Sequence, residues 1–236
     1  MGCVKLHILD EQYKRTELQV SYNNKKLTSN FCTENLRSGM LINRVDPDGR
    51  IDIDVKTQQQ YPQLTEYLKN LSQEWMNKSE SFKTAFKETS GLNDKQVTEM
   101  LEFGKGPKLV VKDLDNSTSQ TNGETYLKDI GNGKVANEGK GKIALDNDVV
   151  GMMENAQTGK DKDVGRIMVE STTFHELTHV GNATTSNTTN GKYTESGKAF
   201  ETKVYGVDIS RSNVAAYRES MQPKPIPIKI TPLSIP

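Results

Sequence analysis

The sequence predicts an α+β fold, in which several helices stand beside a small sheet and one helix carries a compact set of ionisable side chains. Three observations predict it. Leu64, Tyr67, Leu68, Leu71 and Trp75 recur at helical spacing, and Phe82 and Phe86 continue the rhythm. Short apolar runs between turn residues, Lys108 to Val111 and Ile143 to Val150, have the length and composition of strands. Residues 175 to 179 spell His-Glu-Leu-Thr-His inside a third apolar-periodic stretch.

The elements follow in order. Up to about Arg44 the chain is polar and irregular, with turn signals at Asn23-Asn24, Ser29-Asn30 and Ser38-Gly39. Asp46-Pro47-Asp48-Gly49 is a tight turn by composition. Ile51, Ile53 and Val55 then alternate with Asp52, Asp54 and Lys56, which predicts a strand. Residues 61 to 103 predict helices, the last marked by Val97, Met100 and Leu101. Asp113 to Gly133 is rich in turn residues, and Ile143 to Val150 predicts a strand leading into the motif helix. That helix gathers Ile167, Met168, Val169, Phe174, Leu177 and Val180, and Gly181 suits the left-handed position that ends it. Thr184 to Asn190 is a polar linker, Ser196 to Tyr205 a further helix, and the proline-rich end an extended tail. The expected division is an N-terminal extension over residues 1–56, a catalytic domain over 57–221 and a tail over 222–236.

Composition narrows the function classes. Of the 236 residues 33% are hydrophobic, and the formal net charge is zero. A mean hydropathy of −0.71 implies a compact part with lightly packed flanks. Nucleic-acid binders carry a basic excess, and none exists here. No apolar run approaches the length of a membrane span, so none is expected. The N-terminus lacks the apolar stretch of a signal peptide, so the expected location is cytoplasmic until a dedicated system exports the chain. The two cysteines, Cys3 and Cys32, are either a pair or free thiols.

The motif carries the chemistry. On a helix, residues i and i+4 share a face, so His175 and His179 can reach one metal ion. Glu176 then sits beside the open coordination position, where it can act as general base toward a water molecule. Zinc is the expected cofactor and a protein or peptide the expected substrate. A third ligand should lie downstream, and because no histidine follows it should be an acid: Glu195, Glu201, Asp208 or Glu219. Glu201 is the preferred candidate, inside the helix that follows the motif. Glu195 stands at the entrance of that helix, where an acid suits the dipole. Tyr193, Tyr205, Tyr217 and Arg218 can donate to a developing oxyanion.

His175-Glu176-Leu177-Thr178-His179, Phe200-Glu201-Thr202-Lys203-Val204-Tyr205-Gly206, Asn213 and Tyr217-Arg218-Glu219 together resemble the NleD-like effector metallopeptidases. The resemblance spans about residues 140 to 220. It implies a zincin fold that cleaves proteins of other cells, with His175 and His179 as ligands, Glu176 catalytic and Glu201 at the family's acidic position. The family often doubles that acid, and here Phe200 precedes it. Asn43 to Arg50 is similar to the Asp-Pro-Asp-Gly junction of RHS-repeat shells, which implies an RHS carrier or an immunity protein as partner. Two other classes are a non-catalytic zinc-binding interaction module and a decayed remnant of an RHS carrier. The intact Glu176 argues against both, since binding alone needs no base.

Overall fold

The computed structural model describes residues 2–9, 15–22, 51, 53–131, 134–185 and 195–222. The chain divides into two compact units, Met1–Asp46 and Pro47–Pro236. In the first, strand β1 (Gly2–Leu9) pairs antiparallel with β2 (Arg15–Tyr22), with Val4 opposite Val20 and Leu6 opposite Leu18. This corrects the expectation of irregular chain there. Val4, Leu6 and Ile8 alternate with other residues at the period of a strand. The turn at Asp46 to Gly49, Cys32 and Tyr193 lie outside the described residues.

The second unit is α+β. Helices α1 (Val55–Gln60), α2 (Pro62–Asn77), α3 (Glu80–Ser90) and α4 (Asp94–Leu101) come first. Strand β3 (Lys108–Lys112) follows, then β4 (Gly123–Thr125), β5 (Leu127–Gly131), β6 (Lys134–Asn137) and β7 (Lys142–Asp146). The chain continues with α5 (Asn147–Glu154), the long α6 (Gly159–Thr185), α7 (Ser196–Tyr205) and α8 (Val214–Ser220). β3, β7 and β4 form a mixed sheet in that order, with β7 parallel to β3 and antiparallel to β4. β5 and β6 form a separate hairpin. Among the described residues no helix is long and apolar enough to cross a membrane.

Local chemistry moves several boundaries. Ile51 and Ile53 are not on a strand. Both are fully buried, and Asp54 caps α1 by accepting from Thr57 N at 3.0 Å. The strand expected to run to Val150 stops at Asp146, whose carboxylate accepts from Asp148 N at 2.8 Å and starts α5. The turn-rich composition of residues 113 to 133 conceals β4 and β5. Gly181 does not end α6. It lies inside the helix, and a Cβ there would come 2.7 Å from Ser90 Cβ, so its role is close packing against the end of α3.

α6 is the central element and is buried along most of its length from Met168 to Ala183. Its Phe174 meets Phe82 at 5.0 Å and Phe86 at 5.2 Å, both edge-on, and Trp75 at 6.2 Å. Phe200 of α7 joins this cluster, 5.3 Å from Phe82 and 6.0 Å from Phe174. The aromatic core therefore fixes α6 and α7 against one another through residues adjacent to His175 and Glu201.

Candidate active site

The helical spacing of the motif holds: α6 brings the His175 and His179 rings to 5.1 Å between centroids. Phe174 anchors one side of α6 in the core, and the next residue, His175, turns toward a cavity of about 210 Å³. Thr172, His175 and Glu176 of α6 line it, with Gly123 of β4, Glu201 of α7 and Asp208 beyond α7.

Glu176 is buried and held by the edge strand. Thr125 donates its hydroxyl to Glu176 Oε2 at 2.6 Å, with Glu176 O a further acceptor at 3.0 Å. Gly123, two residues earlier on β4, lies so close that a Cβ would fall 2.7 Å from Glu176 Oε1. Burial raises the proton affinity of this carboxylate, against the lowering effect of His175 and of the Thr125 hydrogen bond.

The two histidines stand in different fields. His175 Nδ1 lies 3.0 Å from Glu201 Oε2. Burial pulls the His175 pKa down, but the Glu201 hydrogen bond and the nearby carboxylates outweigh it and the net shift is upward. His179 is buried, with Ser196 Oγ 3.3 Å from its Nδ1. Burial, with His175 beside it, pulls its pKa down to about 3, so it is neutral and able to ligate. Glu201 is pushed up to about 7 by burial, against the pull of the His175 hydrogen bond. Its hydrogen bond with Asp208 raises Glu201 further, while burial of Asp208 is outweighed by the bonds from Glu201 and Lys198, which lower it.

Two overlapping sets of donors could hold a metal. One donor atom from each of His175, His179 and Glu195 fall within 4.8 Å of one another, and the same holds for His175, Glu201 and Asp208. Two imidazoles with carboxylates fit zinc. Asp115, Asp146 and Asp148 form a third acidic group, but Arg211 already sits among them, 2.5 Å from Asp115, 3.4 Å from Asp146 and 3.1 Å from Asp148.

Tyr205, Tyr217 and Arg218 are not brought to this cavity. Tyr205 points its hydroxyl at Glu170 Oε1, 3.4 Å away, and packs on Phe82 and Phe200. Burial holds its phenol well above the usual range, so it stays protonated. Tyr217 stacks edge-on against Tyr205 at 5.6 Å. Arg218 pairs with Asp163 at 2.7 Å, and Glu219 with Lys160 at 2.7 Å. Glu195 does stand at the N-cap position of α7, but its side chain makes no capping hydrogen bond. Thr125, Gly123, Ser196 and Gly197 shape the site and were not singled out by the sequence. Their signal is spatial, because β4 and the first turn of α7 reach α6 only in the fold.

Paired imidazoles one turn apart, with a buried carboxylate beside them in a cleft, define the metal-dependent peptidases as a class. The family model described as metallopeptidase toxin 3 matches residues 57–206, and the chain belongs to that family. No curated protein and no solved structure matches the chain.

Proposed function

We propose that this metallopeptidase toxin is a zinc-dependent endopeptidase that uses Glu176 as general base. The observation that carries the reading is that His175 and Glu176 of α6 open on one cavity while His179, one turn further along, holds its ring 5.1 Å from that of His175. His175 and His179 would hold the metal. Zinc, when bound, supplies Lewis acidity and lowers the pKa of its water toward about 7. Thr125 fixes one oxygen of Glu176, and the other, which lies beside Gly123, would take the proton of the attacking water and pass it to the leaving amine. β4 is the end strand of its sheet, and an extended peptide can add to such an edge next to Glu176.

The toxin family and the NleD-like motif set support a target among the proteins of another cell. The Asp-Pro-Asp-Gly segment supports delivery from an RHS-type carrier, with an immunity protein protecting the producer. The test is elemental analysis together with a fluorogenic peptide library. About one zinc per chain is expected, with hydrolysis that stops on chelation and returns when zinc is restored. Stoichiometric zinc without hydrolysis would favour the binding module instead.

A further inference from the structure

We infer that Glu195 is the third protein ligand of the metal, and that Glu201 is a positioning residue holding His175 from the opposite edge of its ring. The inference rests on the metal site proposed above. An imidazole that donates its Nδ1 proton to a carboxylate is oriented by it and keeps the Nε2 lone pair for a metal. His175 has this arrangement, with Glu201 Oε2 3.0 Å from Nδ1. Glu201 is also hydrogen-bonded to Asp208, which in turn pairs with Lys198 at 3.2 Å. Its carboxylate is thus buried and shared between His175 and Asp208.

The start of α7 lies over one face of the ring. A Cβ on Gly197 would fall 2.2 Å from His175 Cδ2, 2.4 Å from Nε2 and 2.5 Å from Cγ, above the ring plane, so only glycine lets the first turn of α7 pack on that face. Glu195 precedes Gly197 by two residues and belongs to the same turn. Between them, Ser196 places its hydroxyl 3.3 Å from His179 Nδ1, a second support from the same turn. The set His175, His179 and Glu195 includes both motif histidines, whereas the set with Glu201 and Asp208 leaves out His179. Glu195 is exposed and makes no capping bond, so its carboxylate is not spent on the helix end.

The test is zinc affinity by competition with a chromophoric chelator, on the full chain, with the cobalt(II) absorption spectrum in parallel. Wild type, Glu195→Gln, Glu201→Gln and Asp208→Asn are compared. Loss of an orienting partner weakens metal binding about 10- to 100-fold, and loss of a ligand weakens it more. Glu195→Gln should therefore lose more than about 100-fold and change the cobalt bands. Glu201→Gln should lose about 10- to 100-fold and keep them, with Asp208→Asn no worse than Glu201→Gln. Affinity of Glu195→Gln within tenfold of wild type overturns the inference, as does a larger loss with altered bands at Glu201→Gln. Glu195 is exposed, so its arm decides the matter even where Glu201→Gln fails to fold, which circular dichroism reports. A wild type that binds no zinc sinks the metal reading itself, an outcome distinct from a wild type that binds zinc as tightly as Glu195→Gln.

Discussion

Thr125 is a short side chain on a three-residue strand, yet it holds one oxygen of Glu176 at 2.6 Å. A hydrogen bond to a charged group is worth about 1.5–3 kcal/mol, which corresponds to roughly 10- to 100-fold in rate if it acts in the transition state. Thr125→Val should therefore lower kcat by about that factor with zinc content unchanged, and Thr125→Ser should restore most of it. Steady-state kinetics with metal analysis checks this, and a loss confined to KM would count against it. His179 gives a second residue-scale expectation. Its pKa is pulled from 6.5 to about 3 in the fold, chiefly by burial. Below pH 6.5 the unfolded chain takes up a proton that the folded chain refuses, so acidification removes stability in that window. In the metal-free protein, wild type should lose on the order of 1 kcal/mol per pH unit relative to His179→Gln between pH 6 and 4. Urea unfolding of the two chains measures the difference, and parallel curves would contradict it. At this scale His175, Glu176 and His179 were legible because one helical turn fixes their spacing. Thr125 and Ser196 were not, because their partners lie 51 and 17 residues away.

At the scale of elements, the site depends on how closely α7 approaches α6. Gly197 sets that distance, since any Cβ would collide with the His175 ring. Gly197→Ala should shift the first turn of α7 or the ring itself, and weaken zinc binding at least tenfold while leaving the far-UV circular dichroism spectrum intact. Zinc affinity equal to wild type would mean that α7 approaches more loosely. Helices were legible where apolar periodicity is strong, as in α2 and α3, whose Leu68, Leu71 and Phe86 are fully buried. The errors came from residues with two uses. Gly181 has the composition of a stop but serves as a contact with Ser90, and Asp54 has the look of a strand's polar face but caps α1. Glu195 was expected to cap α7, and it holds the cap position without the bond.

At the scale of the whole molecule, the second unit begins at Pro47, and Ile51 and Ile53 belong to its core. A chain starting at Pro47 should fold and keep zinc affinity. One starting at Lys56 loses both isoleucines and should be destabilised by several kcal/mol, at about 1.5–3 kcal/mol for each buried side chain. Thermal unfolding of the two truncations separates these outcomes, and equal melting temperatures would contradict the assignment of those residues to the core. The α+β class was legible from periodicity alone, whereas the order of the strands was not. β4 joins the sheet beside β7 through a stretch whose composition is that of loops. The account as a whole stands on peptide-bond cleavage driven by Glu176. Its most direct test is to expose a cell extract to zinc-loaded wild type and to Glu176→Gln, and to count new protein N-termini by mass spectrometry. New termini with wild type that disappear with a zinc-retaining Glu176→Gln are the expected result. The same termini from both chains, or none from wild type, would contradict it.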